Sequence, residues 1–372
     1  MKGQKKGIFL APLSDNDLND LFWINQNVID CDIHNEVPNI EVLKPYLSDH
    51  WRSYIEESAF RGPDSDDYPE GAPTSVALSF RKTGSVKGNL DIGELREGLL
   101  DKLKIEFGIL NCAYRVQAVH DEQLALTLSS AVNQWQVDTW LSRDTRLRGS
   151  IVIPSQNPIL AAKEIDRWGH DSRFVQVIMP VRSLIPYGSR KYDPIYEAVV
   201  RHGLVLGIQF GGSPGHPSTP SGWLSTYAEE FASMSQVFQS QVMSLIVEGA
   251  FDRFPTLKVS LIEGGFTWMP PLMWRLDKEW KGLRRNIPWV KKPPSEYIRK
   301  HIRLTLQPID GPGNIKQFSE VIGQLDSEEM LMFSTDYPHW QFDRIEEAFP
   351  LGLSREVTTK ILLKNAQSFY RF

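Results

Sequence analysis

The sequence predicts a (β/α)8 barrel, on three observations: eight short β-rich runs, helical spacing between them, and polar side chains that close several of the apolar runs. The runs are 28–34 (VIDCDIH), 107–112 (FGILNC), 149–154 (GSIVIP), 174–179 (FVQVIM), 204–210 (LVLGIQF), 258–263 (KVSLIE), 302–307 (IRLTLQ) and 331–336 (LMFSTD). All are short and mostly apolar, as strands covered on both faces are. Between them, 122–142, 158–168, 193–202, 225–252, 314–325 and 355–370 carry the apolar spacing of helices. Strand and helix alternating in this way build a parallel sheet with its helices outside, and eight rounds close it.

The first crossover breaks the rhythm. Residues 35–105 form an insertion after the first strand, and RGPDSDDYPEGAPTS at 61–75 within it is dominated by Pro, Gly, Asp and Ser. That composition reads either as a lid over the barrel mouth or as a plain surface loop. Nothing else divides the chain, so 1–372 is expected to be a single barrel domain.

A formal net charge of -5, from 41 basic and 46 acidic residues, supplies no basic face for nucleic acid or an anionic membrane. A small molecule is the expected partner. The two cysteines, Cys31 and Cys112, are far apart, which argues against a disulfide scaffold and for a reducing, cytoplasmic setting. The apolar run in MKGQKKGIFLAPLSDNDL is too short for a signal peptide, and no run reaches the ~18 apolar residues that span a bilayer. No phosphate-binding G-x-x-x-x-G-K-[ST], dinucleotide fingerprint after the first strand or G-x-S-x-G elbow is present.

In such a barrel the chemistry sits at the C-terminal ends of the strands. There the first run places Asp32 and His34 two apart, on one face of a strand, with Asp30 a step deeper and expected to support them. The fifth run ends in Gln209, the sixth in Glu263, the seventh in Gln307 and the eighth in Asp336, with His339 three residues on. Carboxylates converging on one mouth repel, and a divalent cation is the simplest neutraliser; singly, each is as well explained as a helix cap or salt-bridge partner.

Three stretches together resemble the amidohydrolase-related family that includes the aminocarboxymuconate-semialdehyde decarboxylases: IDCDIH at 29–34, EGAFDRFPTLKVSLIEGGFTWMPPLMWRLD at 248–277 and LMFSTDYPHWQFD at 331–343. The resemblance implies a distorted (β/α)8 TIM barrel holding one or two divalent metal ions. It maps the family's first-strand pair to Asp32 and His34 and its eighth-strand aspartate to Asp336. The family's fifth-strand histidine falls at Gln209 and its sixth-strand histidine at Glu263, so the implied donor set is richer in oxygen. Zinc, manganese and iron are all compatible, with iron favoured by few imidazoles.

The expected metal ligands are therefore Asp32, His34, Glu263, Asp336 and Gln209, with Asp336, Glu263 and His339 as catalytic groups. His216, in the loop SPGHPSTPSGW, and Gln307 are the candidates for touching substrate, against plain readings as an exposed loop residue and a strand-end cap. Glu164 and Arg167 in AAKEIDRW stand i, i+3 apart and read as a surface ion pair. The segment WRLDKEWKGLRRNIPWVKKPPSEY at 274–297 sets seven cations among three Trp. It suits either an anionic handle such as a coenzyme A arm at the mouth or a solvated helix packed into a homo-oligomer interface.

On the family resemblance, metal-activated hydrolysis of a small organic acid, acyl or aromatic substrate ranks first. A dinuclear non-heme iron monooxygenase, with acyl or CoA-linked substrates, is the alternative that the oxygen-rich ligands permit. Metal-dependent decarboxylation and a metal-free binding protein follow.

Overall fold

All eight runs form parallel strands in a computed structural model of the chain, which describes residues 26–63, 91–211, 219, 221–339, 345–350 and 352–372. They are β1 (Val28–Ile33), β2 (Ile105–Leu110), β3 (Leu147–Val152), β4 (Phe174–Pro180), β5 (Val205–Gln209), β6 (Lys258–Ile262), β7 (Ile302–Thr305) and β8 (Leu331–Met332). Each pairs with the next in sequence, from β1 through to β8. The ring closes where the segment after β8 returns to β1: Cys31 N donates to the Phe333 carbonyl at 2.9 Å, Asp336 N to Asp32 at 3.1 Å and His34 N to Tyr337 at 2.8 Å. These bonds tie the ends of the first and last strands together, so residues about 300 apart in sequence meet at one rim.

Helices cover the strands, and local chemistry starts several of them. Asp121 caps Glu122–Gln136 by accepting from Gln123 and Leu124 N–H groups, and Asn157 caps Pro158–Trp168, whose first position is proline. Thr226 and Glu229 form a reciprocal capping box at the start of Tyr227–Val247. Gly249, at φ 73°, ends that helix and splits the expected 225–252 segment before Ala250–Arg253.

The described parts of the 35–105 insertion are ordered rather than loop-like. Asp49–Ser58 is a helix, and Ile40, Leu43, Leu47, Ile55, Leu95 and Leu99 are buried in the main apolar cluster. Residues 64–75 of the Pro- and Gly-rich stretch lie outside the described residues. No helix among the described residues is long and apolar enough to cross a membrane.

Two expectations are corrected. Glu164 is not half of a surface ion pair: it is 2% exposed and accepts from Ser130 Oγ (2.6 Å), Asn133 Nδ2 (2.9 Å) and Trp168 Nε1 (2.7 Å). Arg167 instead lies over the Trp168 ring, 5.5 Å from its centroid. The cationic segment also does not present its paired lysines at the mouth. Lys291 and Lys292 line a groove with Asp326, Ser327 and Glu329, which precede β8, at the opposite end of the barrel.

Burial raises the Glu164 carboxyl above its ordinary range, against the pull of its three hydrogen bonds. The folded state therefore holds that proton to higher pH than the unfolded chain, and stability is lost as pH rises from the ordinary carboxylate value toward the raised folded one. Glu164→Gln cannot ionise and lacks this slope. Its penalty relative to wild type in urea denaturation is expected to shrink between about pH 4 and about pH 7; a penalty that grows with pH would show that the hydrogen bonds outweigh burial.

Candidate metal centre

Asp32, His34, Glu263 and Asp336 each bring a ligand atom to within 4.8 Å of the others. They come from the ends of β1, β6 and β8, which sequence separates widely and the closed barrel brings together. His34 Nε2 is the focus: it lies 2.9 Å from Asp336 Oδ1, 3.2 Å from Glu263 Oε1 and 3.6 Å from Asp32 Oδ1. One imidazole N–H cannot serve three carboxylate oxygens.

The backbone is bent to make this convergence. Glu263 and Asp336 both adopt φ 59°, in the left-handed region that L residues avoid at a cost of about 1–2 kcal/mol each. Both turns are pinned by their own N–H groups: Glu263 N donates to Thr305 Oγ1 at 3.1 Å, and Asp336 N to the Asp32 carbonyl. Gly264 and Gly265 follow Glu263, and Gly265 is itself at φ 64°. Strain of this kind persists only where surrounding contacts hold it, and it is concentrated here on two of the four converging side chains.

Electrostatics tells the same story. Burial, with the charges of Glu263 and Asp336 adding to it, pushes Asp32 well above the usual carboxylate range, although His34 and an Asn111 hydrogen bond pull the other way. Asp336 is pushed up to about 6, first by burial and then by Glu263. On His34, burial opposes charge, but Asp32, Asp336 and Glu263 outweigh it and drive the imidazole well above its ordinary value. Glu263 falls below its ordinary range, because His34 and a Gln209 hydrogen bond overcome its burial. Without a cation the cluster must share protons, since three buried carboxylates cannot all ionise against one imidazole.

The donor chemistry fits a divalent ion. Asp32 Oδ2 is buried with no hydrogen-bond donor, and Asp32 is fully buried. Three carboxylates and one imidazole suit a hard or borderline cation such as manganese or iron better than a thiolate-seeking one.

The remaining candidates take different places. Gln209 turns its amide nitrogen to the cluster, donating to Glu263 Oε1 at 2.7 Å with His34 Nε2 3.4 Å away, so it holds a carboxylate and is not among the converging oxygens. His339 stands at the rim, 38% exposed, its ring 4.7 Å from that of His34, with Nε2 3.2 Å from Glu36 Oε1 and Nδ1 4.0 Å from Asp336 Oδ1. Gln307 takes no part: its amide donates to the Ala348 carbonyl at 3.0 Å. His216 lies outside the described residues. Asp30 supports from below, accepting from Asp32 N (3.1 Å) and from Thr335 N and Oγ1 (3.0 and 2.6 Å).

Sequence reasoning passed over Glu36, Asn111 and Arg115. Asn111 just follows β2, so the same search for polar strand ends reaches it. Nothing local marks Glu36, which lies beyond the β1 motif and meets His339 only through the fold. A cleft beside the cluster is lined by Gln209, Phe210, Met179, Pro180, Tyr114 and Arg115.

Residues 29–372 match the model of the amidohydrolase family, Amidohydro_2. The chain belongs to this family. Curated family relatives include the gamma-resorcylate decarboxylase of Polaromonas sp., 28% identical over 308 residues that cover 76% of this chain and 88% of that protein. The gamma-resorcylate decarboxylase of Rhodococcus jostii is 26% identical over 309 residues, with the same coverage. Among solved structures, 2,6-dihydroxybenzoate decarboxylase from Rhizobium superposes with a TM-score of 0.63 at 20% identity, over 92% of this chain and 98% of that one. A dihydroxybenzoic acid decarboxylase from Polaromonas sp. with bound manganese and 2-nitroresorcinol gives 0.67 at 23% identity, over 92% and 96%. These relatives are decarboxylases, so hydrolysis, which the family resemblance ranks first, is not the activity found among them.

Removing a converging carboxylate tests the centre directly. Asp336→Ala and Glu263→Ala are each expected to weaken Mn2+ binding by more than about 100-fold, beyond what loss of an outer hydrogen-bond partner does. Calorimetric titration of metal-stripped protein checks this, and wild-type affinity in either variant would remove that residue from the centre.

Proposed function

We propose that this chain is a divalent-metal-dependent decarboxylase of small aromatic acids, with manganese as the metal. The observation that carries the reading is the convergence of Asp32, His34, Glu263 and Asp336, with the buried Asp32 Oδ2 left without a donor, at the mouth of a family barrel whose curated relatives are decarboxylases. The bound ion would supply Lewis-acid binding of the substrate's carboxylate and a neighbouring oxygen.

The rest falls to the chain's own residues. Decarboxylation replaces the ring's C–COO− bond by C–H, so one proton must reach the ring carbon as carbon dioxide leaves. His339 is placed to carry it, at the rim between the carboxylates of Glu36 and Asp336. Glu36, a rim residue, is held below its ordinary range by its bond to His339 against some desolvation, and so stays an acceptor that fixes the ring. Phe210, Met179 and Pro180 give the small cleft beside the cluster apolar walls, while Tyr114 and Arg115 give it a polar edge. Gln209 keeps Glu263 turned toward His34.

The test pairs metal analysis with turnover of 2,6-dihydroxybenzoate. Mn2+-loaded enzyme is expected to release carbon dioxide, chelation to abolish this and added Mn2+ to restore it. His339→Asn should lower kcat by roughly 10²–10⁴-fold, the range for loss of a proton-transfer group, with KM little changed. Two irons per chain with substrate-dependent oxygen uptake would overturn the proposal in favour of an oxygenase, and a chain that binds no metal would overturn it outright.

A further inference from the structure

A line of buried neutral side chains leads from the C-terminus of the chain to Asp32. Tyr370 Oη donates to Gln176 Oε1 at 2.8 Å. Gln176 Nε2 donates to Asn111 Oδ1 and to Ser150 Oγ, each at 2.9 Å, and Ser150 Oγ donates to Asn111 Oδ1 at 2.6 Å. Asn111 Nδ2 then donates to Asp32 Oδ1 at 2.8 Å and to the Cys31 carbonyl at 3.2 Å. Asn111, Ser150, Gln176 and Asp32 are all fully buried, and Tyr370 is 5% exposed.

The bonds run in one direction. The Asn111 oxygen is committed to two donors, so its nitrogen must face Asp32; the Gln176 oxygen is committed to Tyr370, so its nitrogen must face Asn111. With Oδ1 held in this way, Asp32 keeps Oδ2 without a partner. The fold makes room for the line: a Cβ on Gly207 would sit 2.7 Å from Gln176 Cδ. It also anchors the far end, since Arg371 donates to the carbonyls of Gly169 (2.9 Å) and Phe174 (2.8 Å), and Lys258 Nζ to that of Phe369 (2.7 Å). Phe174 and Lys258 open β4 and β6, so the C-terminus is fastened at the end of the barrel opposite the metal centre.

Ordinary packing does not call for this arrangement. Polar side chains buried inside a barrel cost stability unless every one is paired, and apolar residues would fill the same space without that demand. We infer that Tyr370, Gln176 and Asn111 are positioning residues for Asp32, a hydrogen-bond relay that sets which carboxylate oxygen faces the cation. This rests on the metal-centre reading above and extends it to residues that touch neither ion nor substrate. The docked C-terminus is thereby a working part of the centre.

Metal-stripped wild type, Asn111→Ala, Tyr370→Phe and Phe369→Leu are titrated with Mn2+ and followed by electron paramagnetic resonance and calorimetry, with thermal melting recorded for each. Asn111→Ala is expected to weaken Mn2+ binding about 10–100-fold, as loss of an outer hydrogen-bond partner does. Tyr370→Phe, which removes one more distant hydrogen bond with little change of shape, should weaken it about 2–10-fold and alter the Mn2+ spectrum. Phe369→Leu trims a ring that packs edge-on to Tyr370 at 5.7 Å but removes no hydrogen bond of the relay, and should lower the melting temperature while leaving affinity and spectrum as in wild type. Tyr370→Phe carries the test if Asn111→Ala does not fold. Wild-type affinity and spectrum in Tyr370→Phe, or a matching loss in Phe369→Leu, would overturn the relay. A wild type that binds no Mn2+ fails at the metal centre itself and is recognised before any variant is compared.

Discussion

Three carboxylates crowd one imidazole nitrogen at the rim of this barrel, and much of the surrounding structure is arranged to hold them there. Left to themselves such groups would spread apart or take up protons. The strained turns at Glu263 and Asp336, the bonds closing β1 against the segment after β8 and the amide of Gln209 all resist the first outcome. A bound cation removes the second. The same crowding that costs energy among the carboxylates alone would favour a cation among them, because burial strengthens attraction as well as repulsion.

The barrel supplies what the cluster needs through geometry alone. Parallel strands aim all their C-terminal ends at one rim, so a polar residue at the end of each can reach the others with no long loop. Asp30 shows how tightly this is built: it is fully buried, pushed up to about 7 chiefly by burial, and yet accepts three hydrogen bonds that fix Asp32 and Thr335 on facing strand ends.

Fold and centre were legible in the sequence to different depths. The eight strands were readable because each is a short apolar run buried on both faces, a pattern that owes nothing to distant contacts. Asp32, His34, Glu263 and Asp336 stood out together, because carboxylates converging on one barrel mouth repel, although each alone is as well explained as a helix cap or salt-bridge partner. Orientation was not legible. Gln209 offers an oxygen and a nitrogen, and only the nearby Glu263 carboxylate decides that the nitrogen faces the cluster. Glu164 was misread for the same reason: its partners Ser130 and Asn133 stand more than thirty residues away, on another helix. Gln307, too, is committed to a distant carbonyl, that of Ala348.

Where the family resemblance implies two histidines and Gln209 and Glu263 stand instead, the difference is one of charge. Two neutral imidazoles at those strand ends would leave two carboxylates, from Asp32 and Asp336, to balance a divalent ion; Glu263 adds a third, and Gln209 adds none. The surplus negative charge falls beside His34, where burial opposes a charged imidazole but Asp32, Asp336 and Glu263 outweigh it. Extra carboxylate also shifts selectivity from zinc toward harder ions, which tolerate oxygen-rich and less strictly tetrahedral surroundings.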